Sequence, residues 1–240
     1  MMILKTMTAG HLVQQSLYTP PRVTEADPPD LRREKEAARR SYMHWCRNRT
    51  IAMQALLFAN FTDPSRPAYW CTLTFTDQTL PLSRRELGQK FSYFIKKLHA
   101  TASPDIHYIR IPEHRHGVGR WHIHLVVDGC TPDQIRSAWG YGKVTHIDPV
   151  DAALILRGKK GDHTERGGLA AYICKETPDK PGQRAFTASA GRNKLIRPEC
   201  VRQIVPDDYE LSPPPGSELI YKRTPSENAW GRCETICYLI

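Results

Sequence analysis

The sequence predicts an α+β fold, with a central, mostly antiparallel β-sheet flanked by helices and an N-terminal helical extension before it. Three observations lead there. Residues 69–75 and 121–127 alternate apolar and polar or histidine side chains in the way of strands with two different faces. Two stretches begin with the spacing of a capping box, Ser83 to Glu86 and Thr131 to Gln134, the second with Pro132 at the first helical position. The order of elements that results is strand, helix, two strands, helix, strand, helix, which suits a mixed sheet-and-helix domain better than a bundle or a sandwich.

Taken in order, residues 1–29 carry Pro20-Pro21 and Pro28-Pro29 among polar neighbours and read as a poorly ordered arm. Residues 30–62 form a basic helical extension. Residues 31–59 lack Pro and Gly, and arginines and lysines (Arg32, Arg33, Lys35, Arg39, Arg40, Arg47, Arg49) give way to an apolar half with Ile51, Met53, Leu56, Leu57 and Phe58. Such a helix can lie along phosphates or simply show a solvated face.

Residues 63–200 hold the main domain. Its first strand, 69–75, puts Trp70, Thr72 and Thr74 on one face and Cys71, Leu73 and Phe75 on the other. The helix from Ser83 to about Leu98 gathers Leu87, Phe91, Phe94, Ile95 and Leu98 in one stripe, with Arg84, Arg85, Lys90, Lys96 and Lys97 mostly off it. Residues 106–112 and 121–127 read as an antiparallel pair around a wide loop with Gly117 and Gly119. A helix from Thr131 to near Gly140, a strand at 143–147, a polar loop at 157–168 and a helix at 168–177, stopped by Pro178, complete it. Residues 181–198 are basic and turn-rich, with Arg184, Arg192, Lys194 and Arg197. Residues 201–240 form a C-terminal tail with a Pro213-Pro214-Pro215-Gly216 linker and short strands at 218–222 and 233–240. The chain has no internal repeat.

Composition narrows the partners. The formal net charge of +9 over 240 residues points to a polyanion, nucleic acid or an anionic membrane surface. No apolar run reaches the ~20 residues of a membrane span, and the first ten residues lack a secretory core, so a cytoplasmic, nucleic-acid-facing protein is expected. Seven scattered cysteines without a Cys-x-x-Cys pair argue against a disulfide framework and against a zinc knuckle.

The chemistry centres on His122 and His124. Two residues apart on a strand, they share a face and can reach one metal ion. A pair of this kind also occurs as two solvated histidines, so its neighbours decide. Glu113 ends the preceding strand, nine positions earlier, a distance that a hairpin closes. Glu113, His122 and His124 make a mixed oxygen and nitrogen donor set that suits zinc, or Mg²⁺ or Mn²⁺ where a phosphate completes the shell. His114 and His116 in the loop are competing ligands. The candidate nucleophile is Tyr172, with Lys175 three residues on along the same helix. A free phenol has a pKa near 10, so its attack on phosphorus requires activation by a neighbouring cation or a metal-bound phosphate.

In order along the chain, Cys71-Thr72-Leu73-Thr74-Phe75, Glu113 with Trp121-His122-Ile123-His124, and Tyr172-Ile173-Cys174-Lys175 resemble the motifs of rolling-circle replication initiators of the His-hydrophobic-His endonuclease superfamily. With Trp139-Gly140 and the single tyrosine, the chain looks most like the replication-associated proteins of filamentous phages, related plasmids and small viruses. The resemblance covers about residues 70–199. It implies a nicking domain in which His122, His124 and Glu113 hold Mg²⁺ or Mn²⁺ and Tyr172 forms a covalent 5′-phosphotyrosine. Lys175 would position the phosphate or the metal. It also implies that Thr72 and Thr74 are structural or DNA-contacting. The cations Arg84, Arg85, Lys96, Lys97, Arg192 and Lys194 are expected to hold the strand. The expected partners are single-stranded or cruciform origin DNA, a host polymerase and a helicase. Relaxases and transposases share this chemistry; a non-catalytic DNA-binding regulator, or a small RNA-binding domain, shares only the basic surface. The chain departs from some relatives in lacking a second helical tyrosine and a Gly-x-x-x-x-Gly-Lys loop, and in having Glu176 after Lys175.

Overall fold

The structure, a computed structural model of the chain, describes residues 2–19, 23–46, 49–114, 119–157, 168–175, 185–223 and 233–240. It is an α+β protein with two five-stranded antiparallel sheets and six helices among the described residues. The chain divides into two compact units, residues 1–59 with 197–240, and residues 60–196.

The first unit corrects the expectation of a poorly ordered arm. Strands β1 (Met2–Ala9) and β2 (Leu12–Tyr18) form a tight hairpin, paired from Ile3↔Tyr18 to Ala9↔Leu12. Gly10 and His11 make its two-residue loop, and Gly10 supplies the positive φ (57°) that such hairpin turns demand. Helices α1 (Pro29–Cys46) and α2 (Arg49–Phe61) follow where one basic helical stretch is expected. After the second unit the chain returns to add three strands to the hairpin. Numbered in chain order, they are β8 (Glu199–Val205), β9 (Glu218–Arg223) and β10 (Cys233–Leu239). The sheet order is β8-β1-β2-β10-β9. The residues expected as an arm and as a tail are therefore one sheet, and Met2, Leu4, Val13, Leu17, Val205, Leu211, Ile236 and Tyr238 bury one another on one of its faces. Composition hid this because both the partners and the burial come from opposite ends of the sequence.

The second unit holds the predicted order of elements. Strands β3 (Ala68–Leu73), β4 (Tyr108–Glu113), β5 (His122–Asp128), β6 (Val144–Val150) and β7 (Thr187–Ala188) assemble in the order β6-β3-β5-β4-β7, all neighbours antiparallel. Helix α3 (Arg84–Thr101) begins at Ser83, whose side chain accepts from the Glu86 N–H. Helix α4 (Pro132–Ala138) begins with a complete Thr131/Gln134 capping box. Two short helices, α5 (Ala152–Arg157) and α6 (Gly168–Lys175), come later; α5 was not expected from the sequence. Most of the polar loop at 157–168 lies outside the described residues.

One face of this sheet buries its apolar residues. Cys71, Leu73 and Phe75 from the first strand, and Ile123, Leu125 and Val127 from β5, pack on Leu87, Phe91, Phe94, Ile95 and Leu98 of α3 and on Ile135, Ala138 and Trp139. Each such fully buried side chain stabilises the fold by about 1.5–3 kcal/mol. The Trp139 indole N–H donates to the Thr74 carbonyl (2.8 Å), tying the end of α4 to the end of β3. The Asn60 side chain exchanges two hydrogen bonds with the backbone of Ile196 (2.7 and 2.9 Å), fastening the first residue of this unit to its last.

Beyond β3, residues 141–143 continue to pair with residues 74–76, and Gly142 lies flat against them. A Cβ there would collide with the Thr74 carbonyl oxygen and stand 2.8 Å from the Phe75 Cα. Both are backbone atoms, which cannot step aside. Gly142→Ala is expected to cost about 1–3 kcal/mol, read as a lower urea midpoint with an unchanged slope.

Candidate active site

Strand alternation and register build the site. Because Ile123, Leu125 and Val127 turn toward α3, His122 and His124 turn to the opposite face of the sheet. The β4–β5 pairing sets Glu113 directly opposite His122 and Ile111 opposite His124. Glu113 Oε2 therefore stands 2.7 Å from His122 Nε2 and 2.7 Å from His124 Nε2. Glu113 and His124 are buried and His122 half-buried, and the three ligand atoms converge within 4.8 Å. This group could hold a metal ion.

Proton positions test that fit. The other ring nitrogen of His122, Nδ1, faces the Arg120 carbonyl at 3.2 Å, and a carbonyl only accepts. Nδ1 thus carries the hydrogen, and in the neutral ring the Nε2 lone pair points at a carboxylate oxygen 2.7 Å away. Two lone pairs at that distance repel unless a proton or a metal cation lies between them. On the other histidine, Nδ1 is 2.9 Å from the buried Thr72 hydroxyl, which can accept its hydrogen and leave Nε2 free to ligate. Burial holds the His124 pKa below the ordinary imidazole value, against the pull of Glu113 and with the charges of His122 and His146 adding to the effect. Burial raises the Glu113 carboxyl, but hydrogen bonding and charge from His124 and His122 outweigh it and keep the group below the usual glutamate range. A carboxylate beside a neutral, oriented imidazole is the state in which both bind a divalent cation.

Tyr172 reaches the same place from α6. Leu169, Ala170 and Ile173 bury that helix, which leaves the tyrosine on its outward side, 44% exposed. Its hydroxyl is 3.1 Å from His124 Nε2 and its ring meets the His124 ring edge-on at 5.2 Å. Trp70 joins them, stacked on His124 (5.2 Å, 10° between planes) and edge-on to Tyr172 (5.7 Å). A cavity of about 610 Å³ opens here, walled by Trp70, Thr72, His122, His124 and Tyr172, with Arg120, His146 and Asp148 further along.

Other expectations fare differently. Lys175 ends α6, and its side chain lies outside the described residues, as does all of His116. His114 does not join the ligand group: its ring stacks on Trp121 at 4.2 Å. Thr74 bonds to the backbone of Lys143 through both functions of its hydroxyl, so it is tied into the fold. Arg84, Arg85, Lys96 and Lys97 sit on α3, which packs on the opposite face of the sheet from Tyr172 and His124. Arg192 and Lys194 belong to a turn whose Asn193 and Arg192 bind the Pro104 carbonyl, before the start of β4, whereas Glu113 is at its end. None of these six cations lines the cavity. The cationic side chain that does is Arg120, bonded to Asp77 and to the Phe75 carbonyl. Its position immediately before Trp121 was the available clue. Trp70 and Thr72 were legible as one strand face, but their partner, His124, was not.

Residues 68–176 match the model of a family described as Replication-associated protein, ORF2 type, and over that stretch the chain is similar to it. The match runs from the first residue of β3 to the residue after α6 and contains Glu113, His122, His124 and Tyr172. No curated protein and no solved structure matches the chain. No helix among the described residues is long and apolar enough to cross a membrane.

Titration calorimetry with Mn²⁺ checks the ligand group. Glu113→Gln and His124→Ala are expected to abolish measurable binding. Thr72→Val should weaken it about 10- to 100-fold by releasing the His124 ring, and Thr72→Ser should restore it. Unchanged affinity in Thr72→Val would show that the ring is held by Trp70 alone.

Proposed function

We propose that the protein is a metal-dependent nicking enzyme and strand transferase that opens a replication origin and starts rolling-circle replication. The observation that carries the reading is the Tyr172 hydroxyl at 3.1 Å from His124 Nε2, at the edge of the Glu113–His122–His124 group and inside the stretch similar to replication-associated proteins. A tyrosine packed for stability alone has no reason to present its hydroxyl beside a carboxylate and two imidazoles.

Glu113, His122 and His124 would hold Mg²⁺ or Mn²⁺, which when bound supplies Lewis-acid polarisation of the scissile phosphate. The chain's own contribution is placement. Trp70 fixes the Tyr172 ring, so the phenol oxygen is aimed at the mouth of the cavity before DNA arrives. Attack forms the Tyr172 Oη–P bond and breaks the P–O3′ bond. Overall the phenol's proton ends on the departing 3′ oxygen, and the strand's 5′ phosphate stays on Tyr172. That ester keeps the bond energy for rejoining, and the free 3′ hydroxyl is a primer for a host polymerase. Lys175, three residues on in α6, is the residue that the resemblance implies for positioning the phosphate. The substrate is single-stranded or cruciform origin DNA, and the net charge of +9 favours its approach.

The test uses single strands from candidate origins of the encoding replicon, labelled at the 3′ end, with Mn²⁺ and a denaturing gel. A protein-linked label is expected with wild type, and its loss with chelator and with Tyr172→Phe. Binding without adduct on every strand would favour a DNA-binding regulator. An adduct surviving in Tyr172→Phe would keep the chemistry and reject the nucleophile.

A further inference from the structure

Strand β6 contains the one positive φ outside glycine among the described residues: His146, at 53°. Its cause is local. β6 pairs with β3 as Trp70↔Asp148 and Thr72↔Thr145, so Cys71 alone faces both His146 and Ile147. This is a β-bulge in an edge strand, the kind of irregularity that re-aims a side chain. Simple alternation would send Thr145 and Asp148 to opposite faces. With the extra residue, Thr145, His146 and Asp148 all line the cavity, while Val144 and Ile147 pack on the apolar core of the other face.

The bulge thus gives the cavity an imidazole that folding does not use. His146 is exposed, lies outside the Glu113–His122–His124 group, and has no hydrogen bond, ion pair or ring contact with another described residue. The other donors along that wall are committed: Arg120 to Asp77 and the Phe75 carbonyl, Thr145 to the Thr72 carbonyl, Thr74 to the Lys143 carbonyl. Asp148 offers only acceptor atoms. A non-glycine residue in this backbone conformation costs stability and persists where function repays it.

We propose that His146 is a strand-binding residue, whose ring N–H donates to a phosphodiester oxygen of single-stranded DNA lying in the cavity beside the phosphate presented to Tyr172. The proposal rests on the nicking reading above for its ligand. It makes no use of His146 as a metal ligand or as a proton carrier.

The experiment measures the anisotropy of a fluorescein-labelled single strand of random sequence, about 20 nucleotides long to exceed a typical single-strand site, with full-length protein carrying Tyr172→Phe and with Mn²⁺ present. His146→Ala and His146→Gly are expected to raise Kd about tenfold, and His146→Gln, which keeps an N–H donor, to recover most of it. Calorimetric Mn²⁺ affinity should stay within twofold of the parent. His146→Gly should also raise Tm by a few degrees, because glycine adopts a positive φ without strain; that excludes misfolding as the source of lost affinity. On the Tyr172 background, the adduct rate at saturating DNA should change little. An unchanged Kd in both truncations, or no binding by the parent, overturns the proposal. A tenfold loss of Mn²⁺ affinity also overturns it, by making His146 a metal ligand. If His146 controls Kd but Tyr172 forms no adduct on any strand, the contact stands and the nicking reading falls.

Discussion

The antiparallel register of β4 on β5 is the constraint on which the site depends, because Glu113 meets the two histidines only in this alignment. A slip of one residue would turn the carboxylate, or both imidazoles, toward α3. The register is held by things that have no chemistry of their own. Ile123, Leu125 and Val127 must face the apolar stripe of α3. At the other end of β5 the fully buried Asp128 accepts from the His107 backbone N–H (2.8 Å) and from the Arg66 guanidinium (2.7 and 3.0 Å), which locks β5 to the residues leading into β4. The geometry of the ligand group is thus inherited from a packed core and a buried ion pair.

Within that frame, electrostatics and aromatic packing divide the work. One carboxylate oxygen faces two ring nitrogens at 2.7 Å, and the His122 tautomer set by the Arg120 carbonyl leaves a lone pair pointing at it. The arrangement has room for a cation and needs one. Trp70 and Thr72, two residues apart on β3, hold His124 from its flat side and from Nδ1. Trp70 also fixes Tyr172, so a single strand face orients both the ligand and the hydroxyl beside it. The Thr-Leu-Thr-Phe stretch therefore acts through the histidine, and its two threonines are spent on protein contacts.

Charge is distributed less directly than the sequence suggests. The basic residues of α3 follow from helix periodicity: its apolar stripe is consumed by the sheet, so Arg84, Arg85, Lys96 and Lys97 are left on a surface behind the site. They add to the overall positive field without touching a strand that lies at Tyr172. At the cavity itself the side chains are mainly aromatic, hydroxyl and imidazole, which favours a polyanion held by specific contacts in a confined place.

The sequence by itself determined the elements around the site and the identity of its reactive groups. Alternation marked β3 and β5, capping boxes marked α3 and α4, and His122, His124, Glu113 and Tyr172 were all visible as types in a meaningful order, because these signals are local and repeat within a few residues. Tertiary structure alone decided what they do together. The sheet joining residues 2–18 to residues 199–239 needs partners from the two ends of the chain, which no local pattern announces. The Thr72–His124 bond, the Trp70 wedge, and the bulge that adds His146 to the cavity depend on the pairing of strands far apart in sequence. Register is a property of two strands at once, and that is the physical reason these features could be seen only in the fold.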